Sequence, residues 1–106
     1  MPTYLWRASY TTAGTKGLLK DGGSKRRAAV QQLVEQVGGK LHAFYYAFGD
    51  ADVYGIAEFP DAATAAAVSL AVNASGAVTL SSIALLTPAE IDAAAKKSIP
   101  YQPPGA

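Results

Sequence analysis

Residues 3–10, TYLWRASY, are rich in aromatic and extended-state residues, and Tyr4 and Trp6, at alternate positions, fall on one side with Leu5, Arg7 and Ser9 on the other. Such two-residue alternation in an aromatic-rich run predicts a strand, and the Thr-Thr-Ala-Gly that follows predicts its exit into a turn. From Thr11 to Gly23 the pattern is mixed and broken by glycines, which suits a short helical turn around Leu18 and Leu19 closed by Asp21-Gly22-Gly23. Val30, Leu33, Val34 and Val37 then recur at helical spacing. Ser24 is placed to cap this helix, and Gly38-Gly39 to end it.

Two strands are predicted next, over 40–48 (KLHAFYYAF) and 52–59 (DVYGIAEF), joined through Gly49-Asp50-Ala51 as a tight hairpin. Pairing Phe48 with Val53 puts Tyr46 opposite Gly55 and Phe44 opposite Ala57 on one face. On the other, Ala47 meets Tyr54, Tyr45 meets Ile56 and Ala43 meets Glu58. Large residues then face small ones almost throughout, as cross-strand packing favours. Pro60-Asp61 opens an alanine-rich helix running to Val72 and ending at Asn73, a residue that tolerates left-handed backbone. Residues 77–86 read as a fourth strand. Thr87-Pro88-Ala89-Glu90 is a capping box for a last short helix to Lys97, and 98–106, with three prolines, form a tail.

The order is βαββαβ with an extra C-terminal helix, the ferredoxin-like arrangement of a four-stranded antiparallel sheet with helices on one face. Residues 1–97 form one domain. The uncovered face would carry Tyr45, Ala47, Tyr54, Ile56 and Leu5 beside Arg7 and Ser9. Burying side chains of that size is worth roughly 1.5–3 kcal/mol each, so a homodimer or larger homo-oligomer with sheets face to face is expected.

Composition narrows the chemistry. Half of the 106 residues are apolar and the formal net charge is +1, which suits a folded chain and offers no extended basic surface for nucleic acid beyond Lys25, Arg26 and Arg27. No run approaches a membrane span, so the expectation is a cytoplasmic protein without a membrane partner. The absence of cysteine and the single histidine, His42, argue against disulfides, thiolate catalysis, Cys-ligated zinc or iron–sulfur sites and a two-histidine metal site within one chain, and no cofactor is indicated.

Several landmarks resemble the GYD-domain family along nearly the whole chain. They are Pro2-Thr3-Tyr4, the segment from Asp21 to Arg26, Val37-Gly38-Gly39-Lys40, Phe48-Gly49-Asp50-Ala51-Asp52 and Glu58-Phe59-Pro60-Asp61. Gly49 and Asp52 of the family's naming motif stand here, with Ala51 at the place of its tyrosine. The resemblance implies a dimeric α+β barrel; it specifies no reaction.

Arg7 and Glu58 are the leading site candidates, because neighbouring strands would bring opposite charges together on the open face. With Tyr45 and Tyr54 they would anchor a small aromatic or carbonyl ligand, or else form a salt bridge alone. Asp52 either bonds backbone N–H groups at the hairpin or serves, with Asp50, as general base or metal ligand. Ser24, Lys25 and Arg26 converge at a helix start that could hold an anion, with Asp21 as the alternative internal partner. His42, expected opposite Phe59, is either solvent-facing or stacked, or else an axial haem ligand or general base, and Tyr4 and Trp6 read as core rather than as a stacking platform for bases.

Three functions compete. A small molecule could be bound or transformed between the sheets, as in dimeric barrels such as antibiotic-biosynthesis monooxygenase-like proteins. A metal-dependent nuclease, like the ferredoxin-like spacer-acquisition subunit of CRISPR systems, would want a carboxylate where Ser9-Tyr10-Thr11 stands. A non-catalytic assembly or regulatory module would use the C-terminal arm to clasp a neighbour.

Overall fold

The alternation in the first strand sorts side chains to two faces, and the architecture follows from which of these the helices cover. A computed structural model describes residues 1–105. Its elements are β1 (Thr3–Tyr10), α1 (Thr12–Asp21), α2 (Gly23–Gln36), β2 (Lys40–Tyr46), β3 (Val53–Glu58), α3 (Ala62–Ala74), β4 (Val78–Leu85) and α4 (Pro88–Ala95). The four strands form one antiparallel sheet in the order β2-β3-β1-β4, the ferredoxin-like order.

On the covered face Phe59 is fully buried between the rings of Tyr4 and Trp6, at centroid distances of 6.0 and 5.7 Å. Val34 from α2 and Ala65 and Val68 from α3 close over them, joined by Val30, Leu33, Val37 and Val72. The helical apolar stripe in the sequence is therefore the surface that meets the sheet. Gly55 lies between Trp6 and Phe44, and a Cβ there would come 3.1 Å from the Ala43 carbonyl and against both rings.

Five expectations are corrected. The region from Thr11 holds a ten-residue helix rather than a single turn, because Thr11 caps it through the Gly14 N–H (3.3 Å). One of the glycines that argued against a helix serves its packing: a Cβ on Gly14 would stand 2.0 Å from the Ala77 carbonyl oxygen. Ser24 does not cap α2. Gly22, at φ 82°, both ends α1 and begins α2, which moves the start ahead of Ser24. The hairpin strands stop at Tyr46 and resume at Val53, so Phe48 lies outside the sheet and is fully exposed whereas Ala51 is buried. Tyr46 now meets Val53, Phe44 meets Gly55 and Tyr45 meets Tyr54. The last correction is at Asn73, which lies inside α3; its side chain accepts from the Leu80 N–H (2.8 Å) and donates to the Leu80 carbonyl (3.1 Å), and the left-handed residue is Gly76.

The capping box of α4 is formed, with Glu90 Oε1 accepting from the Thr87 N–H (2.9 Å) and Thr87 Oγ1 from the Glu90 N–H (3.1 Å). Yet every residue from Ser81 to Gly105 is exposed. A compact chain of this length has a radius of gyration of about 13 Å. The observed 17.0 Å, with extents of 57 × 33 × 22 Å, fits a domain carrying a projecting C-terminal arm.

Candidate functional site

On the uncovered face, strand pairing lines the side chains into rows that cross the sheet. Ala43, Ile56, Leu5 and Ile83 form one row over all four strands, and Tyr45, Tyr54, Arg7 and Ser81 form the next. None of the described helices lies over them. Tyr45 is 72 % and Ile83 45 % exposed, so an apolar ridge with a polar row beside it faces outward.

Arg7 and Glu58 share this face without meeting. Arg7 sits beside Tyr54 and Glu58 beside Thr3, four residues apart along β3 and hence about 13 Å. Each has another partner: Arg7 Nη2 lies 3.7 Å from Asp50 Oδ2, and Glu58 Oε1 lies 2.8 Å from His42 Nε2. The sequence placed His42 opposite Phe59, but a pairing irregularity between Leu41 and Ala43 turns it toward Glu58 instead. That hydrogen bond, reinforced by the charges of His42, the N-terminus and Lys40, holds the Glu58 carboxyl below its ordinary range against the opposing effect of desolvation.

Asp52 belongs to the backbone. Its Oδ2 accepts from the Tyr10 N–H (2.9 Å) and its own N–H donates to the Ala8 carbonyl (2.8 Å), tying the hairpin loop to the end of β1. Among the described residues, no three His, Asp or Glu side chains cluster as metal ligands would. The cationic trio at the start of α2 divides. Lys25 pairs with Asp21 at 3.7 Å and Arg27 bonds Gln31 at 2.9 Å, while Ser24 is exposed and Arg26 turns inward, half-buried.

Arg26 leads to a site that sequence reasoning missed. Between the sheet and α2 and α3 lies an apolar cavity of about 50 Å³, walled by Trp6, Val30, Leu33, Phe44 and Val72, with Arg26 and Tyr10 among its lining. It adjoins a cleft of about 370 Å³ under α1, which shares Tyr10 and Arg26. Tyr46 stands nearby and donates its hydroxyl to the Gly23 carbonyl at 2.9 Å. Burial pushes its phenol pKa up first and Tyr10 adds to that, whereas Arg26 pulls it down. The missed signal was spacing: Arg26 precedes Val30, Val34 and Val37 by four, eight and eleven residues and so shares the core-facing stripe of α2.

With this geometry in place, the family model of the GYD domain matches residues 4–95, from the second residue of β1 to the end of α4. The chain belongs to the GYD-domain family. No curated protein and no solved structure matches it. The match takes in α4, so the exposed helix is part of the GYD domain itself, and residues 96–106 lie beyond the matched region. Within the GYD domain, no described helix is long and apolar enough to cross a membrane.

Proposed function

We propose that this GYD domain works as a homodimer that binds a small molecule between two open sheet faces. The observation that carries the reading is the uncovered row Ala43–Ile56–Leu5–Ile83. Facing rows from two copies would bury large side chains worth roughly 1.5–3 kcal/mol each, while the adjoining row supplies Arg7, Tyr45 and Tyr54 as polar lining for a chamber. The exposed Arg7–Asp50 ion pair is a weak contact that a ligand carbonyl or carboxylate can displace, because surface pairs at such distance contribute little.

Light scattering on a sizing column tests the assembly: the wild-type chain should run at twice the monomer mass and Ile83→Glu at the monomer mass. A monomeric wild type at micromolar concentration removes the reading. Native mass spectrometry of the wild-type protein then reports a retained small molecule, whose loss in Arg7→Ala would place it in the chamber.

A second reading is favoured by the arm. An isolated eight-residue helix is marginal in water, yet α4 is capped and leaves Ile91 51 % exposed. Beside β4, Tyr4, Ala62, Ala66, Leu70 and Leu80 line an open groove where the α4 of a second copy would pack. In that case removing residues 87–106 should weaken assembly while Ile83→Glu leaves it intact.

A further inference from the structure

We propose that the cavity between the sheet and α2 and α3 binds a small carboxylic acid with a short aliphatic tail, the tail held under Trp6 and Phe44 and the carboxylate held by Arg26 and Tyr10. This site lies on the opposite side of the sheet from the dimer chamber and does not depend on it.

The cavity's size and chemistry define the ligand. A single water needs about 10–15 Å³ of such space, so about 50 Å³ accommodates a few heavy atoms beyond one water. Its walls are Trp, Phe, Val, Leu and Ala side chains apart from Tyr10 and Arg26, and a space so lined offers water few hydrogen-bond partners and favours an apolar occupant. The charge at its mouth selects an anionic head. Among the described residues the Arg26 guanidinium makes no ion pair or hydrogen bond, in contrast to the side chains of Lys25 and Arg27 on either side. A single planar guanidinium matches a carboxylate through two parallel N–H donors, whereas a phosphate dianion calls for more charge than this mouth presents.

Local structure fixes the cation in place. Tyr46 ties down the Gly23 carbonyl at the first residue of α2, and Gly23 sits so close to the ring that a Cβ would stand 3.0 Å from it. Arg26, three residues on, therefore projects from an anchored turn. The alternative is that its methylene stem merely covers the apolar walls with the charge left in solvent.

Trp6 is the chain's single tryptophan and forms part of the cavity wall, so its fluorescence reports occupancy directly. Titration with isovalerate and with butyrate should give a saturable change at roughly millimolar concentration or below, with matching amide shifts at Val72 and Leu80 by NMR. Isovaleramide, the neutral isostere, should bind at least about ten-fold more weakly. Arg26→Gln should abolish this preference and Arg26→Lys should keep part of it, while Val30→Phe, which fills the cavity, should block both ligands. The Ile83→Glu chain should bind as the wild type does, so failure of the dimer leaves this test standing. Absence of saturable change in both fluorescence and NMR, or full retention of carboxylate binding in Arg26→Gln, would overturn the proposal.

Discussion

Gly14 shows how a residue that weakens a helix can be required by it. Its missing side chain lets α1 lie against the Ala77 carbonyl, which also accepts from the Thr11 N–H at 3.0 Å. Gly14→Ala should cost about 1–3 kcal/mol in denaturant unfolding even though alanine is the better helix former, since the Cβ must push that carbonyl away. Three carboxylates act on acid stability. Asp61 and Glu90 are held below their ordinary range by backbone hydrogen bonds at Thr64 and Thr87, and Glu58 by His42. A lowered folded-state pKa means that the contribution is complete above the unfolded value of about 4 and disappears as pH falls through the lower folded value. Acid titration followed by circular dichroism should show stability falling below about pH 4, and Glu58→Gln should make that fall shallower.

Between elements, the hairpin shows how far sequence could carry the fold. The pairing expected from Phe48 with Val53 is displaced by two residues, because the chain leaves the sheet at Tyr46 and needs the longer connection from Ala47 to Asp52. A displacement of two keeps side chains on their own faces, so Phe44 and Tyr46 remain inside and Tyr45 and Tyr54 outside; only the irregularity between Leu41 and Ala43 departs from this, moving Leu41 into the core and His42 out to Glu58. Side-chain alternation thus revealed the faces, whereas the Asp52 clamp on Tyr10, a contact between residues far apart in the chain, governs the register and leaves no local mark. The end of α3 was obscured for a similar reason. Asn73 reads locally as a helix stop, but it spends its amide on both backbone groups of Leu80. Asn73→Ala should lower stability by about 1 kcal/mol, with faster amide exchange at Leu80 as the local signature.

At the scale of the molecule, the strand order, the two-faced sheet and the capped last helix were legible from period and capping residues. The Arg7–Glu58 pair and the inward turn of Arg26 were not. Adjacency of strands does not say how far along them two charges sit, and a basic trio reads as one surface cluster until the helix phase is fixed. The outward ridge also bears on folding. In the proposed dimer each sheet is a wall between its own helices and the partner's sheet, so part of the apolar burial that holds one chain together becomes available only when a second arrives. Stability would then be a property of the solution as well as of the sequence: by mass action the thermal midpoint should climb with protein concentration, and in Ile83→Glu it should be independent of it.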